Sequence, residues 1–139
     1  MIKLLIVEDN LVVAELIGDL LEANGYEVSG IARTVSEAVR LCRAHDPDHA
    51  IVDLHLADAL PGTALISQLG APTCMGILFA SDNVFDTPLT RAHGTAFIRK
   101  PFRAEDLLDA LKIVIEICEN GLSLLPLPPG FRLLGLPGA

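Results

Sequence analysis

Five residues that could take part in phosphate or metal chemistry stand at the ends of apolar runs. Glu8 and Asp9 follow the first run, Asp53 closes a later one, and Ser81 and Lys100 follow two more. If the three carboxylates meet, each pair about 4 Å apart costs roughly 4 kcal/mol at an effective dielectric of 20. Either one carboxylate is then protonated or a cation joins them, and a set of oxygen ligands alone favours Mg²⁺.

The same residue types suit phosphoryl transfer to a carboxylate. Attack by a carboxylate on phosphorus is an established covalent strategy, and Asp53 is the candidate nucleophile. Mg²⁺ and the ammonium of Lys100 would neutralise the transferring oxygens, and the hydroxyl of Ser81 would donate a hydrogen bond to one of them. The sequence therefore indicates an acidic, magnesium-dependent pocket.

Hydrophobic patterning predicts the elements that would position these residues. A continuous apolar run at residues 2–7 predicts a buried strand of a parallel sheet. Further strands are predicted at residues 26–32, 49–53, 75–80 and 96–98. Helical spacing of apolar residues follows each strand, at about residues 13–21, 38–42, 62–69, 88–93 and 104–118. Strand and helix thus alternate five times along the chain.

Local signals mark where several helices begin and end. Asn24-Gly25 is typical of a left-handed helix cap. Thr34 and Glu37 form a capping box in which each side chain satisfies a free backbone N–H. A proline inside a helix costs about 3 kcal/mol, so the fourth helix is predicted to begin at Pro88, with Thr87 as its cap. That helix would be barely longer than one turn.

The alternation predicts an α/β fold of flavodoxin-like type, doubly wound in three α/β/α layers, with a shortened fourth helix. Its five-stranded parallel sheet would have the order 2-1-3-4-5. In that order the first and third strands are neighbours, and ligands bind outside the carboxyl ends of strands where the winding reverses. We expect residues 1–118 to form this domain and residues 119–139 to form a Pro/Leu-rich tail.

Four short segments in this order on a βα-alternating chain resemble the receiver domain of two-component response regulators. They are Val7-Glu8-Asp9, Val52-Asp53-Leu54, Phe79-Ala80-Ser81 and Lys100-Pro101-Phe102, and the resemblance covers about residues 1–118. It implies that Asp53 is the phosphoacceptor. It also implies that Asp9, Asp53 and the backbone carbonyl of His55 bind Mg²⁺, with Glu8 acting mainly through water.

The resemblance assigns further roles around the phosphoryl group. Lys100 would pair with the phosphoryl oxygens, Lys100-Pro101 resembles the family's cis-peptide turn, and Ser81 and Phe97 occupy the switch positions. A sensor histidine kinase or a histidine phosphotransfer protein would supply the phosphoryl group, and an unknown downstream protein would receive the signal. The implied chemistry is magnesium-dependent self-phosphorylation and dephosphorylation, with no other enzymatic activity.

Two departures from the family pattern leave an alternative open. Asp82 stands where the family usually has alanine or glycine, and the shortened fourth helix alters the face that usually reads out phosphorylation. A further departure is that the loop after Asp53 carries its glycine one step late, at Gly62. The alternative is a receiver-like interaction module with impaired phosphorylation. An enzyme on the same architecture ranks third, because His55 stands where a dehalogenase-type phosphatase would have a second aspartate.

Each candidate residue also has a plain structural interpretation. Asp53 could cap a helix or be a solvated loop residue, and Glu8-Asp9 could favour the positive end of the first helix. Ser81 could cap the following segment. Phe97 could belong to the core, with switching as an added role.

Composition narrows the function classes. The chain of 139 residues has a net charge of −8 and a pI near 4.8, which disfavours contact with nucleic acid or anionic lipid. The first apolar run is too short for a signal peptide, so we expect a cytoplasmic protein without membrane contact. Its three cysteines lack metal-ligand spacing and are predicted to be reduced thiols. No metal-ligand spacing links His45, His49 and His93, which are predicted to be surface residues.

The tail combines four prolines with many leucines. Such an apolar segment is predicted to dock on a surface, either on its own domain or on a neighbouring chain. The face of the shortened fourth helix is the expected acceptor, and the face made by the fourth helix, the fifth strand and the fifth helix is the one that usually reads out phosphorylation in the family. A homodimer through the tail or through this face is a further expectation.

Overall fold

A computed structural model describes residues 1–56, 60–70, 75–82 and 89–135. The strands are β1 (Lys3–Val7), β2 (Glu27–Ala32), β3 (His49–Asp53), β4 (Gly76–Ser81), β5 (Ala96–Arg99) and β6 (Phe131–Leu133). The helices are α1 (Leu11–Ala23), α2 (Val35–His45), α3 (Leu65–Leu69), which a 3₁₀ turn (Gly62–Ala64) precedes, and α4 (Ala104–Asn120).

The sheet has the order β2-β1-β3-β4-β5-β6. Its first five strands are parallel and follow the predicted order, so the α/β doubly wound fold is confirmed. The predicted number of strands is wrong by one, because β6 pairs antiparallel with β5. This sixth strand comes from the tail, where prolines and a three-residue apolar run carry no strong strand signal.

The core lies in two layers, one on each face of the sheet. On one face, α1 and α4 pack over alternate strand residues such as Leu4 and Ile6. On the other face, α2 and α3 cover the intervening residues such as Leu5 and Val7. The continuous apolar runs thus supply both layers at once, because successive side chains of a strand point to opposite faces.

Side-chain caps begin two of these helices. The Asn10 side chain accepts hydrogen bonds from the N–H groups of Val12 and Val13, at 3.1 and 3.3 Å, and so begins α1 directly after the acidic pair. The Thr34 hydroxyl accepts a hydrogen bond of 3.1 Å from the N–H of Glu37, as the capping box predicts. Gly25, at φ 88°, lets the chain reverse after α1.

The short helix predicted from Pro88 falls partly outside the described residues, which exclude Thr87 and Pro88. In the described remainder the prediction is wrong, because Arg91–His93 form a turn. Side chains there bind backbone N–H groups locally: Thr90 Oγ1 accepts from Ala92 N–H at 3.2 Å, and His93 Nδ1 accepts from Thr90 N–H at 3.1 Å. Such local bonds compete with helix formation.

The described part of the tail folds back on the domain. Helix α4 continues two residues beyond its predicted end and stops at Gly121, which has φ 85°. Strand β6 then pairs with β5, and Leu134 is buried. Docking of the tail on its own domain is thus observed for residues 128–135. Along the described residues, no helix has the length and apolarity needed to cross a membrane.

Candidate functional site

Three carboxylates from two neighbouring strands meet at the carboxyl edge of the sheet. Glu8 and Asp9 follow β1 and Asp53 is the last residue of β3, and β1 and β3 are paired. One oxygen from each carboxylate lies within 4.8 Å of the others. Asp53 keeps access to solvent, with 12% of its side chain exposed, whereas Glu8 is 5% exposed. The predicted meeting of these residues is therefore observed.

Lys100 faces this cluster from the end of β5. Its Nζ lies 3.0 Å from Glu8 Oε1 and 3.6 Å from Asp53 Oδ2. The backbone holds the lysine there, because Lys100 N–H donates a 2.9 Å hydrogen bond to the carbonyl of Ser81. The Lys100-Pro101 peptide bond is cis, as the family resemblance implies.

The surroundings of Lys100 keep it charged. Burial lowers the pKa of Lys100, but the hydrogen bond to Glu8 and the charges of Asp53 and Glu8 outweigh burial, so the net shift is upward. Three carboxylates facing one ammonium leave the pocket with two formal negative charges at neutral pH. A divalent cation would balance that charge, and the ligands are all hard oxygens, so the residues fit Mg²⁺.

The loop after β3 contacts Asp53, the predicted phosphoacceptor. The N–H of His55 donates a 3.1 Å hydrogen bond to Asp53 Oδ1, which fixes the orientation of the carboxylate. A Cβ on Gly62 would overlap the Asp53 carbonyl oxygen and approach Val52 Cγ1 at 2.9 Å. The displaced glycine of the sequence thus allows the loop to pass against β3. Metal ligation by the carbonyl of His55 stays a prediction.

The two predicted switch residues lie in the sheet next to this pocket. Ser81 ends β4 one residue beyond the position opposite Asp53 and is 1% exposed. Phe97 lies in β5 opposite Phe79 of β4 and is 2% exposed, within the core layer that α2 and α3 cover. Phe97 is therefore a core residue, and switching by Ser81 and Phe97 stays a prediction.

Sequence reasoning missed two features of the pocket. It assigned Lys100 to phosphoryl oxygens and Glu8 to water, and did not foresee that the two side chains bind each other. It also missed Asn10, whose side chain caps α1 and whose N–H donates a 3.4 Å hydrogen bond to Glu8 Oε2. The signal for Asn10 was available, since an asparagine directly before a helical pattern is a typical N-cap.

The prediction that His49 is a surface residue is wrong. His49 begins β3 at the opposite, amino edge of the sheet and is 6% exposed. Its Nδ1 accepts a 3.1 Å hydrogen bond from the N–H of Gly76. Burial lowers the pKa of His49, and the charges of Asp48 and Glu119 oppose this shift only in part. The side chain is buried because the start of β4 and the end of α4 cover this edge.

Comparison with known proteins places this geometry in a family. The response regulator receiver domain matches residues 4–112. Chemotaxis protein CheY of Bacillus subtilis (strain 168) is 32% identical over 114 residues, which are 78% of this chain and 93% of CheY. Transcriptional regulatory protein PdtaR of Mycobacterium tuberculosis (strain CDC 1551 / Oshkosh) is 28% identical over 117 residues, or 82% of this chain and 57% of PdtaR.

A solved structure with the same architecture is the signal receiver domain of a modulated diguanylate cyclase from Desulfovibrio desulfuricans G20. It has a TM-score of 0.72 at 28% identity, over 84% of this chain and 95% of that one. The present chain spans little more than half the length of PdtaR, whereas it spans nearly all of CheY. With the acidic cluster and its lysine in place, this chain belongs to the response regulator receiver domain family.

Proposed function

We propose that this protein is the phosphoaccepting receiver of a two-component phosphorelay, acting in the cytoplasm. The observation that carries the proposal is the position of Lys100 Nζ, 3.0 Å from Glu8 and 3.6 Å from Asp53, above a cluster of three carboxylates. A sensor histidine kinase or a histidine phosphotransfer protein would be the donor. An unknown downstream protein would receive the signal, and homodimer formation stays a prediction.

In the proposed reaction, an Asp53 oxygen attacks the phosphorus of a phosphohistidine. The bond from phosphorus to the imidazole nitrogen breaks, and the nitrogen keeps the electron pair and takes up a proton from solvent. Water later attacks the phosphorus of the acyl phosphate and gives its protons to the phosphate product and to solvent, and the carboxylate leaves with the electron pair of its broken bond. Mg²⁺, when held by Asp9 and Asp53 directly and by Glu8 mainly through water, would neutralise charge on the phosphoryl oxygens.

This chain's own residues prepare the acceptor for that reaction. The His55 N–H holds Oδ1 of Asp53 at 3.1 Å, which orients the second oxygen, Oδ2, toward Lys100. Lys100 would exchange its contact with Glu8 for one with a phosphoryl oxygen, because the phosphorylated acceptor carries more negative charge than the free carboxylate. The resulting shift between two conformations would carry the signal.

A second candidate function is a receiver-like interaction module that is poorly phosphorylated. Two observations favour it: Asp82 is exposed directly after Ser81, and β6 covers the edge of β5. A carboxylate at position 82 would repel an incoming phosphoryl group if it faces the pocket.

Incubation with acetyl phosphate and Mg²⁺, followed by intact-mass spectrometry, separates the two functions. We expect the mass gain of one phosphoryl group, which is lost in Asp53→Asn and when Mg²⁺ is removed by chelation. Asp109→Asn is the matched control, since it makes the same chemical change at an exposed position of α4. Absence of the mass gain in the unaltered protein would refute the phosphoaccepting function and favour the interaction module.

A further inference from the structure

The tail segment 128–135, here named the strap, is attached to the strand that delivers Lys100. Its strand β6 pairs with β5 over three positions, Ala96↔Leu133, Phe97↔Arg132 and Ile98↔Phe131. The Arg99 N–H donates a 3.0 Å hydrogen bond to the carbonyl of Gly130. The backbone bond to the strap is thus one residue from the lysine of the acidic pocket.

Side chains of the strap add contacts on the face of the sheet that α2 and α3 cover. The guanidinium of Arg132 lies 5.9 Å from the centre of the Phe97 ring, within the range of a cation–π contact. Two residues on, Leu134 is 5% exposed and joins the core layer that contains Phe97. The strap therefore restrains the Phe97 ring as well as the backbone of β5.

The strap also holds the segment before β5. The Leu134 N–H donates a 3.1 Å hydrogen bond to the carbonyl of Thr95, and the carbonyl of Gly135 accepts a 2.7 Å bond from the Arg91 N–H. Arg91 lies in the turn that leads from β4 into β5. Through these bonds the strap links that turn, β5 and the lysine at the end of β5 into one unit.

Between α4 and the strap, the chain is weakly attached. Leu122 and Leu127 are each 59% exposed and Leu124 is 91% exposed, so this connection buries little apolar surface. The strap itself is held by a three-residue strand, three further backbone hydrogen bonds at Gly130, Leu134 and Gly135, and the packing of Phe131 and Leu134. All of these contacts lie in one short segment at the edge of the sheet, and such a segment can open locally without global unfolding. The strap is thus a device that can detach while the domain stays folded.

We infer that the strap is an intrachain restraint on phosphorylation of Asp53. Attached, it holds β5 in the arrangement in which Lys100 Nζ binds Glu8. Lys100 Nζ already lies 3.6 Å from Asp53 Oδ2, so the restraint acts on its release from Glu8. A phosphoryl group on Asp53 draws Lys100 and the end of β5 away from the Glu8 contact and so weakens the strap, and release of the strap favours the same movement. The two equilibria are coupled and the coupling is reciprocal. This inference rests on the proposed function, because it needs a phosphoryl group on Asp53.

The first arm of the test weakens the strap in the full chain and measures phosphorylation. We expect Arg132→Ala to be phosphorylated by acetyl phosphate and Mg²⁺ about twofold to fivefold faster than the unaltered protein, the range that loss of one exposed cation–π contact implies. The phosphorylation rate of Arg132→Lys should lie between those of Arg132→Ala and the unaltered protein. Arg43→Ala, at an exposed position on α2, is the matched control and should not change the rate.

The second arm measures the reverse effect by hydrogen exchange of the backbone amides of residues 130–135. We expect exchange to become faster when the unaltered protein is phosphorylated, and not when Asp53→Asn receives the same treatment. Phosphorylation with unchanged strap exchange and an unchanged rate in Arg132→Ala would overturn the restraint and leave the proposed function intact. Slower strap exchange on phosphorylation would overturn it as well. Failure of the unaltered protein to gain a phosphoryl group would refute both the proposed function and the restraint.

Discussion

The two edges of the parallel sheet stabilise buried ionisable groups in opposite ways. At the carboxyl edge, Lys100 forms an ion pair with Glu8, and the hydrogen bond and charges of its acidic neighbours raise the pKa of Lys100. At the amino edge, His49 has a backbone hydrogen bond but no ion pair within the described residues, and burial lowers its pKa. The carboxyl edge therefore gathers charged side chains where a ligand can reach them, whereas burial at the amino edge favours the neutral form of His49.

The two edges also differ in what a side chain would meet at their glycines. A side chain at Gly62, at the carboxyl edge, would meet the backbone carbonyl of Asp53. A side chain at Gly76, at the amino edge, would meet the ends of side chains: Cys118 Sγ and Val114 Cγ1 at 2.7 Å and His49 Nδ1 at 2.8 Å. Backbone gives way less than side chains do, so an added side chain should cost more at position 62 than at position 76.

Substitution of these glycines should give the largest effect. We expect Gly62→Ala to lower the free energy of unfolding by about 3 kcal/mol, because the loop must move off β3, and Gly76→Ala to lower it by about 1 kcal/mol. Both would be measured by urea denaturation. Gly18→Ala is the control: its Cβ would lie 3.7 Å from Ile6 Cδ1, and alanine in a helix should raise stability by about 0.5–1 kcal/mol. Equal losses at positions 62 and 76 would contradict the expected difference between a backbone and a side-chain neighbour.

Removal of the lysine charge tests the pairing at the carboxyl edge. We expect Lys100→Met to lower the free energy of unfolding by about 2 kcal/mol, between the values for exposed and fully buried pairs, because Glu8 and Asp53 lose their cation. Folding raises the pKa of Lys100, so the charged lysine contributes its full stabilisation below the unfolded-state pKa of about 10.4. Neutral pH lies well below that pKa, so Lys100→Met should lose the whole of this stabilisation at neutral pH.

Addition of Glu8→Gln to Lys100→Met should recover part of that loss, since it removes the carboxylate left without its partner. Thermal and urea denaturation of the double variant would measure the recovery. If Lys100→Met were as stable as the unaltered protein, the ion pair would not be a stabilising contact.

The amino edge should respond to pH. A histidine pKa lowered by folding contributes stability that is present above the unfolded value near 6.5 and is lost as pH falls toward the folded value. We expect the free energy of unfolding to fall by at most about 1.4 kcal/mol per pH unit from this one proton. Urea denaturation at several pH values between 7 and 5 would give the free energy of unfolding as a function of pH. This free energy should fall less steeply with pH in His49→Gln than in the unaltered protein. It should fall equally steeply in His45→Gln, which alters an exposed histidine on α2.

The residues at the carboxyl edge of the sheet could largely be predicted, because the sequence patterns that mark strand ends and helix caps span only a few residues. Apolar runs place Glu8-Asp9, Asp53 and Lys100 after strands, and parallel winding brings the carboxyl ends of those strands to one edge. The strand bounds at His49–Asp53 and the cap at Thr34 follow the sequence directly. The turn at residues 91–93 was missed, because side chains of Thr90 and His93 take backbone partners that a helix would use.

By itself, the sequence determined the order of the parallel strands, the amphipathic helices and the residue types of the acidic pocket, since periodicity and capping act over a few residues. Only the tertiary structure decided that Lys100 binds Glu8, that His49 is buried and that Phe131–Leu133 form a sixth strand. These features depend on contacts between distant segments. A three-residue strand in particular forms where another strand presents an open edge, which no local pattern in the tail encodes.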